Sequence, residues 1–289
     1  MRRFANFACI DWSGQAVARP KGLAVASAAA GQAAPTLLRP SGGWSRQGIL
    51  EWFERLAKAE TDIIVGLDLS PALPFVDCGA YFPGWAESPP NAQELWRIVD
   101  AASADDPHLS VGSFLGDQDV RRHFRQHRDC GDLFPPGAGR MRVCEGGQRE
   151  MGLSPTSCFN LVGASQVGKS SLTGMRVLHC LRGQVPIWPF DPIPSKGPLI
   201  VEIYTTVAAM AAGRSKSRAK IRDAAGLDDA LKALRSNSSA KLDDYDDHST
   251  DAIITAAWLR RASARPELWQ PAAMTPELAR TEGWTFGIV

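Results

Sequence analysis

The sequence predicts an α/β fold in which a mixed β-sheet is flanked by helices, and three observations support this. Short apolar segments joined by turns at the N-terminus favour an antiparallel meander of three strands, over residues 4–10, 22–29 and 35–38. Two later runs, 62–71 and 197–204, are apolar without alternation, which is typical of strands covered on both faces. Between the meander and the first of these runs, apolar residues recur at helical spacing.

The helix after the meander is predicted to begin at Ser45, a residue type that caps helices, and to run to about residue 60. Further helical patterns cover 93–101, 120–126, 171–181, 227–234 and the segment from 247 onwards. Prolines and glycines are frequent between 71 and 195. We therefore predict a core formed by residues 1–70 and 196–289, with residues 71–195 as a large inserted lobe.

Composition restricts the functional classes only broadly. Hydrophobic residues make up 44% and charged residues 22% of the 289 residues, as in ordinary soluble globular proteins. Lys and Arg number 32 against 31 Asp and Glu, so no overall field selects nucleic acid or a membrane as partner. No window is long and apolar enough for a membrane span. The six scattered cysteines indicate reduced thiols, and we expect a cytoplasmic protein.

Acidic residues stand at the ends of the predicted core strands. Asp11 ends the first strand, Asp68 lies near the exit of the next buried strand, and Glu202 lies on the last one. Asp247 and Asp251 are four residues apart at the start of the final helix and so share a face. Helix capping and the helix dipole explain an acid at 247. They explain Asp251 poorly, because it lies one turn inside the helix.

A metal site accounts for these acids together. We predict that Asp11, Asp68 and Asp251 converge on Mg²⁺ or Mn²⁺, with either Glu202 or Asp247 as a fourth catalytic acid. Hard oxygen ligands around these cations suit hydrolysis of phosphodiester bonds. Carboxylates packed closely together also need a cation to offset their repulsion.

The order of acids and elements resembles the RNase H-like fold, with a Holliday-junction-resolvase type of active site. It is also similar to a bacterial and archaeal family of uncharacterised proteins predicted to be RNase H-like nucleases. The resemblance is carried by short segments at 10–14, 65–68, 166–168, 188–190, 201–204 and 247–252. It implies a metal-dependent nuclease acting on DNA or RNA, with Asp11, Asp68 and Asp251 as the core metal ligands.

Two other functions stay open. The segment 163–170 satisfies the phosphate-binding Walker A pattern, with a predicted apolar strand over 159–162 before it and a helix after it. Its key residues would be Gly163, Gly168, Lys169 and Ser170. Against this reading, at least four strands precede the segment, and the acid on the later strand is a glutamate. A non-catalytic nucleic-acid-binding module is the third candidate, based on arginines at 121, 122, 125, 128, 140, 142 and 149.

A structural zinc site is a further, weaker hypothesis. His123, His127 and Cys130 have ligand chemistry at short spacing, and Cys144 is a candidate fourth ligand. Surface histidines and a buried thiol explain the same residues without a metal.

Overall fold

The computed structural model describes residues 2–126, 129–162, 167–214 and 220–289. Its strands are β1 (Asn6–Asp11), β2 (Ala24–Ala29), β3 (Thr36–Leu37), β4 (Ile63–Asp68), β5 (Arg125–Gln126), β6 (Asp129–Cys130), β7 (Ile187–Trp188) and β8 (Pro198–Glu202). Six of them form one sheet in the order β3-β2-β1-β4-β8-β7, while β5 and β6 pair separately. The first three strands are antiparallel neighbours, and β4, β8 and β7 continue the sheet in parallel. The predicted mixed sheet is therefore confirmed.

The α-helices of the described residues are α1 (Arg46–Lys58), α2 (Ala92–Ala102), α3 (Gly112–Gly116), α4 (Val143–Glu150), α5 (Val167–Leu181), α6 (Thr205–Ala211), α7 (Ala224–Ala233), α8 (Asp247–Ala262) and α9 (Pro276–Thr281). Helix α1 begins where predicted, because the Ser45 hydroxyl accepts a hydrogen bond from the Gly48 N–H at 2.9 Å. The Asp246 carboxylate caps α8 in the same way, through the Ser249 N–H at 2.9 Å. The helix predicted over 120–126 is wrong: residues 120–123 form a single 3₁₀ turn, and β5 follows directly.

Helices cover both faces of the sheet, which explains why its central strands lack alternation. Residues of β1 such as Ile10 belong to a core shared with α1, α2 and α5. The intervening residues, such as Cys9, belong to a second core shared with α6, α8 and the C-terminal segment. Successive side chains of a strand point to opposite faces, so this division assigns each strand residue to one layer. The segment 71–195 contributes α2 and α5 to the first core.

None of the helices in the described ranges has the length and apolar character needed to cross a membrane.

Candidate active site

A cleft of about 360 Å³ opens at the ends of β1, β4 and β8, and six of its lining residues are acidic. The turn after β1, the start of α5 and the start of α8 form its other walls. Its acidic residues are Asp11, Asp68, Glu145, Glu202, Asp247 and Asp251. All five acids predicted from the sequence therefore border one cleft, although they do not share one set of contacts.

Asp11 and Asp68 are paired across neighbouring parallel strands. They are partners in the β1–β4 register and are the last residues of their strands. Partners in register point to the same side of a sheet. Cys9 lies two residues before Asp11 and so shares its face of β1, and Cys9 belongs to the core that includes α8. Helix α8 brings Asp251 to the same place. The charges of Asp11, Asp68 and Asp251 all raise the pKa of the Cys9 thiol, so all three lie near it.

Burial raises the pKa values of all three aspartates, and repulsion from the other aspartates adds to this for Asp68 and Asp251. Burial raises the pKa of Asp68 well above its ordinary value, and the charges of Asp11 and Asp251 raise it further. The pKa of Asp251 rises to about 7, mainly through burial and then through Asp11. Burial also raises the pKa of Asp11, although a hydrogen bond from His248 opposes this. For Asp68 and Asp251 the cost of burial and repulsion thus outweighs the contacts that favour the charged form, whereas Asp11 has the His248 imidazole as a partner.

Hydrogen bonds hold two of these carboxylates in place. His248 Nδ1 lies 3.0 Å from Asp11 Oδ2, and this contact raises the pKa of the imidazole. Asp68 accepts hydrogen bonds from the Thr205 hydroxyl at 3.2 Å and from the Thr205 N–H at 3.4 Å. His248 is a site residue that the motif analysis left without a role. Its spacing of three from Asp251 places both on one face of α8, which is the signal that could have identified it.

Glu202 points to the other side of the sheet. Its register partner on β4 is Leu67, which belongs to the core under α1 and α5. There Glu202 meets the buried Arg142, whose Nη1 and Nη2 donate to its two oxygens at 2.8 and 2.5 Å. The Thr285 hydroxyl adds a third hydrogen bond at 2.7 Å. Glu202 is thus neutralised by an arginine, and it lies outside the aspartate set.

Asp247 lies at the rim of the cleft and is also paired. Lys220 Nζ lies 2.7 Å from one of its oxygens, and Arg222 Nη1 lies 2.5 Å from the other. The hydrogen bond from Arg222 is the main reason that the pKa of Asp247 falls below its ordinary value. Both candidates for the fourth acid therefore have cationic partners from the protein itself.

The donor chemistry of the three aspartates fits a hard divalent cation, because carboxylate oxygens are the ligands that Mg²⁺ and Mn²⁺ prefer. The repulsion among these carboxylates also favours a cation, because a positive charge between them would offset it. Their arrangement does not complete it: within the described ranges, no group of three or more His, Cys, Asp or Glu residues is placed so that it could hold a metal ion. His248 and Thr205 occupy oxygens of Asp11 and Asp68 instead.

The Walker A segment falls partly outside the described residues, which exclude 163–166. The helix predicted after it is present as α5, and Lys169 and Ser170 lie in its first turns. The strand predicted before it is absent from the described structure, where residues 159–162 form only an isolated bridge between Asn160 and Arg125. Packing explains Gly168, because a Cβ there would lie 2.2 Å from the Cys158 carbonyl oxygen.

The turn after β1 lies directly against the start of α5. A Cβ at Gly14 would lie 2.4 Å from the Ser170 backbone nitrogen, so only glycine allows this approach. The Trp12 indole N–H donates to the Thr173 hydroxyl at 3.1 Å and fixes the same contact. Helix α5 therefore positions the turn that follows Asp11.

The zinc hypothesis gains no support from the described residues. His123 packs against the Phe82 ring at a centroid distance of 5.4 Å, and burial lowers its pKa to about 4. Cys144 belongs to the second core and contacts the Thr285 hydroxyl, whereas Cys130 is exposed. His127 lies outside the described residues.

Acidic partners neutralise most of the arginines on which the binding-module hypothesis depends. Salt bridges join Arg121 to Asp129, Arg122 to Asp132, Arg140 to Asp77 and Arg142 to Glu202, while Arg128 lies outside the described residues. The arginine-rich segment therefore presents less positive charge than its sequence indicates.

The pKa of Asp251 predicts how stability depends on pH. An acid whose pKa is higher in the folded protein than in the unfolded chain destabilises the fold as it ionises. This penalty is absent below about pH 4 and is complete above about pH 7. We expect Asp251→Asn to raise the free energy of unfolding by about 2–4 kcal/mol at pH 8 in EDTA and to change it little at pH 4.

Thermal and urea unfolding of both proteins at the two pH values measures this difference. Asp229→Asn, at an exposed position of α7, is the matched control. An equal effect of Asp251→Asn at pH 4 and pH 8 would contradict the prediction.

Comparison with known proteins gives no assignment. The chain matches no protein-family model, no curated protein and no solved structure.

Proposed function

We propose that this protein is a Mg²⁺- or Mn²⁺-dependent phosphodiesterase of the RNase H-like type that cleaves DNA or RNA. One observation carries the proposal: Asp11 and Asp68 end neighbouring parallel strands in register, and Asp251 of α8 lies close enough to raise the pKa of Asp68. Asp11 is buried and Asp68 and Asp251 are half-buried, and carboxylates that repel one another at such positions cost the fold free energy. A divalent cation would relieve that cost.

The fold is compatible with this proposal. A three-stranded antiparallel meander is followed by α1, then by parallel strands, and α8 closes one face. The acids occur on the first strand, on the next parallel strand and on the late helix, which is the order on which the RNase H-like resemblance depends.

Asp11, Asp68 and Asp251 would hold the cation only after moving from the described arrangement, in which no such group is placed to hold a metal ion. The bound cation would activate water and stabilise the leaving oxygen. His248 contacts one oxygen of Asp11, so a cation on that oxygen would have to displace the imidazole. His248 is half exposed, and its hydrogen bond with Asp11 raises the pKa of its ring, which suits it to exchange a proton with solvent or substrate. Glu202 has no place in this scheme, since Arg142 binds both of its oxygens.

Cleavage assays test the proposal. Branched DNA and RNA–DNA hybrids are incubated with Mn²⁺ and with EDTA, using wild type, Asp11→Asn and the exposed control Asp229→Asn. We expect Mn²⁺-dependent cleavage by wild type and by the control, and none by Asp11→Asn. The asparagine still reaches His248 through its amide, so loss of cleavage would reflect the lost charge. Cleavage that persists in Asp11→Asn would contradict the assignment of Asp11 as a ligand of the catalytic cation.

A further inference from the structure

We propose that Lys220 and Arg222 form a subsite for a backbone phosphate of the nucleic-acid substrate, and that the Asp247 carboxylate occupies this subsite until substrate binds. The inference rests on the proposed function, because it identifies what the rim of the same cleft binds. It also gives Asp247 a role other than that of a metal ligand.

The Asp247 carboxylate sits between two cations as a phosphate would. Lys220 Nζ approaches Oδ2 at 2.7 Å, and Arg222 Nη1 approaches Oδ1 at 2.5 Å. Each oxygen therefore has its own charged donor, which is the pattern that binds two oxygens of a phosphodiester. Their side chains are 70% and 54% exposed, so a ligand reaches them from solvent.

A buried residue between them fixes the position of the two cations. Ile221 is 1% exposed and belongs to the second core. Ile221 thus anchors this segment in the core, and the side chains on either side of it both contact Asp247 at the start of α8.

Asp247 lies at the N-terminus of the 16-residue helix α8, where the positive end of the helix dipole adds to the two side-chain cations. Asp246 serves as the helix cap, since it accepts hydrogen bonds from the Ser249 N–H and hydroxyl. The charges of Asp244 and Asp246 also act on Arg222, so a phosphate would bind here by displacing the Asp247 carboxylate rather than by adding to it.

The subsite lies where a polyanionic substrate would need it. Asp247 lines the same cleft as Asp11 and Asp251, whose charges repel phosphates. Arg142 also lies near the cleft, but its side chain is 1% exposed and engaged by Glu202. Lys220 and Arg222 are thus accessible cations beside the acidic site, and a phosphate that displaced Asp247 would gain both.

A carboxylate that occupies the subsite competes with a phosphate for the two cations. Removing its charge frees the cations for substrate. Asp247→Asn is therefore expected to bind nucleic acid more tightly, by about 3- to 10-fold, while Lys220→Ala and Arg222→Ala are expected to bind about 5- to 10-fold more weakly.

Binding of a labelled hybrid oligonucleotide in EDTA, where no cleavage competes, measures these effects across a salt series. Each lysine or arginine variant should also lower the salt dependence by about one phosphate contact. Arg265→Ala and Glu267→Gln are matched controls. They alter an exposed ion pair, with 2.9 Å between Arg265 Nε and Glu267 Oε1, that does not line the cleft. Thermal melting confirms that each variant is folded.

Oligonucleotide binding has two results that would overturn the subsite. One is weaker oligonucleotide binding by Asp247→Asn; the other is binding by Lys220→Ala and Arg222→Ala that equals that of Arg265→Ala. Inorganic phosphate is the third arm: if it binds to the wild type and depends on Lys220 while oligonucleotide affinity does not, the site is for a free anion and the proposal fails. Cleavage is scored separately, so a protein that binds as expected without cutting would refute the nuclease and leave the subsite standing.

Discussion

Replacing Asp68 by asparagine is expected to lower Mn²⁺-dependent cleavage by at least about 10³-fold and, at the same time, to make the metal-free protein more stable. Under the proposed function, the activity would fall because Asp68 would help to hold the cation that stabilises the charge of the transition state. The stability rises because burial, Asp11 and Asp251 all disfavour the ionised carboxylate in the folded protein.

The asparagine preserves the local contacts of Asp68, which keeps the comparison clean. Its amide oxygen can still accept from the Thr205 N–H, and its amide group can donate to the Thr205 hydroxyl. No volume is lost, so no cavity forms. A site that is strained for function typically shows this exchange of activity for stability.

Cleavage rates and melting temperatures at pH 8 in EDTA test both halves of the prediction, with the exposed Asp105→Asn as control. Added Mn²⁺ should raise the melting temperature of wild type and of Asp105→Asn, and it should raise that of Asp68→Asn less. An Asp68→Asn protein that is less stable than wild type in EDTA would mean that the carboxylate serves the fold, and a structural role would replace the catalytic one.

Strand and helix periodicity predicted most of the sheet, but it could not assign the acids to faces. The β8 sequence is apolar on both sides, so alternation carries no information about which way Glu202 points. Only the register with Leu67, fixed by pairing of distant segments, shows that Glu202 and Asp68 point to opposite faces. Asp11 and Asp68 were predictable because both end their strands.

Two other features depend on contacts that no local pattern encodes. His248 reaches Asp11 across 237 positions of the chain. Arg142 stands in a segment rich in charged and small residues, where a solvated side chain is the usual expectation. Its burial follows from tertiary packing, since it contacts Glu202, Ser70 and the Glu282 carbonyl oxygen.

Arg142→Met is expected to lower the free energy of unfolding by about 3–5 kcal/mol, the cost of leaving a buried charge without its partner. Arg142 and Glu202 have side chains that are 1% and 3% exposed, and Glu145 adds a second buried carboxylate at 3.1 Å. Methionine roughly replaces the aliphatic volume of arginine, so the loss comes mainly from the two stranded carboxylates. Urea unfolding followed by tryptophan fluorescence measures it.

Neutralising the carboxylates should restore much of that stability. The triple variant Arg142→Met, Glu145→Gln, Glu202→Gln is expected to be more stable than Arg142→Met alone, because replacing all the charges of a buried network costs less than removing one partner. Arg97→Met, which breaks an exposed pair with Glu94, should change stability by less than about 1 kcal/mol.

The same network connects the fold to the cleft. Glu145 and Gln148 of α4 line the cleft, and Gln148 also donates to the Thr285 hydroxyl of the C-terminal segment. Loss of Arg142 should therefore loosen α4 and reduce cleavage in proportion to stability, and the triple variant should recover both. If Arg142→Met lost cleavage while its stability matched that of wild type, Arg142 would act at the substrate rather than as the partner of Glu202.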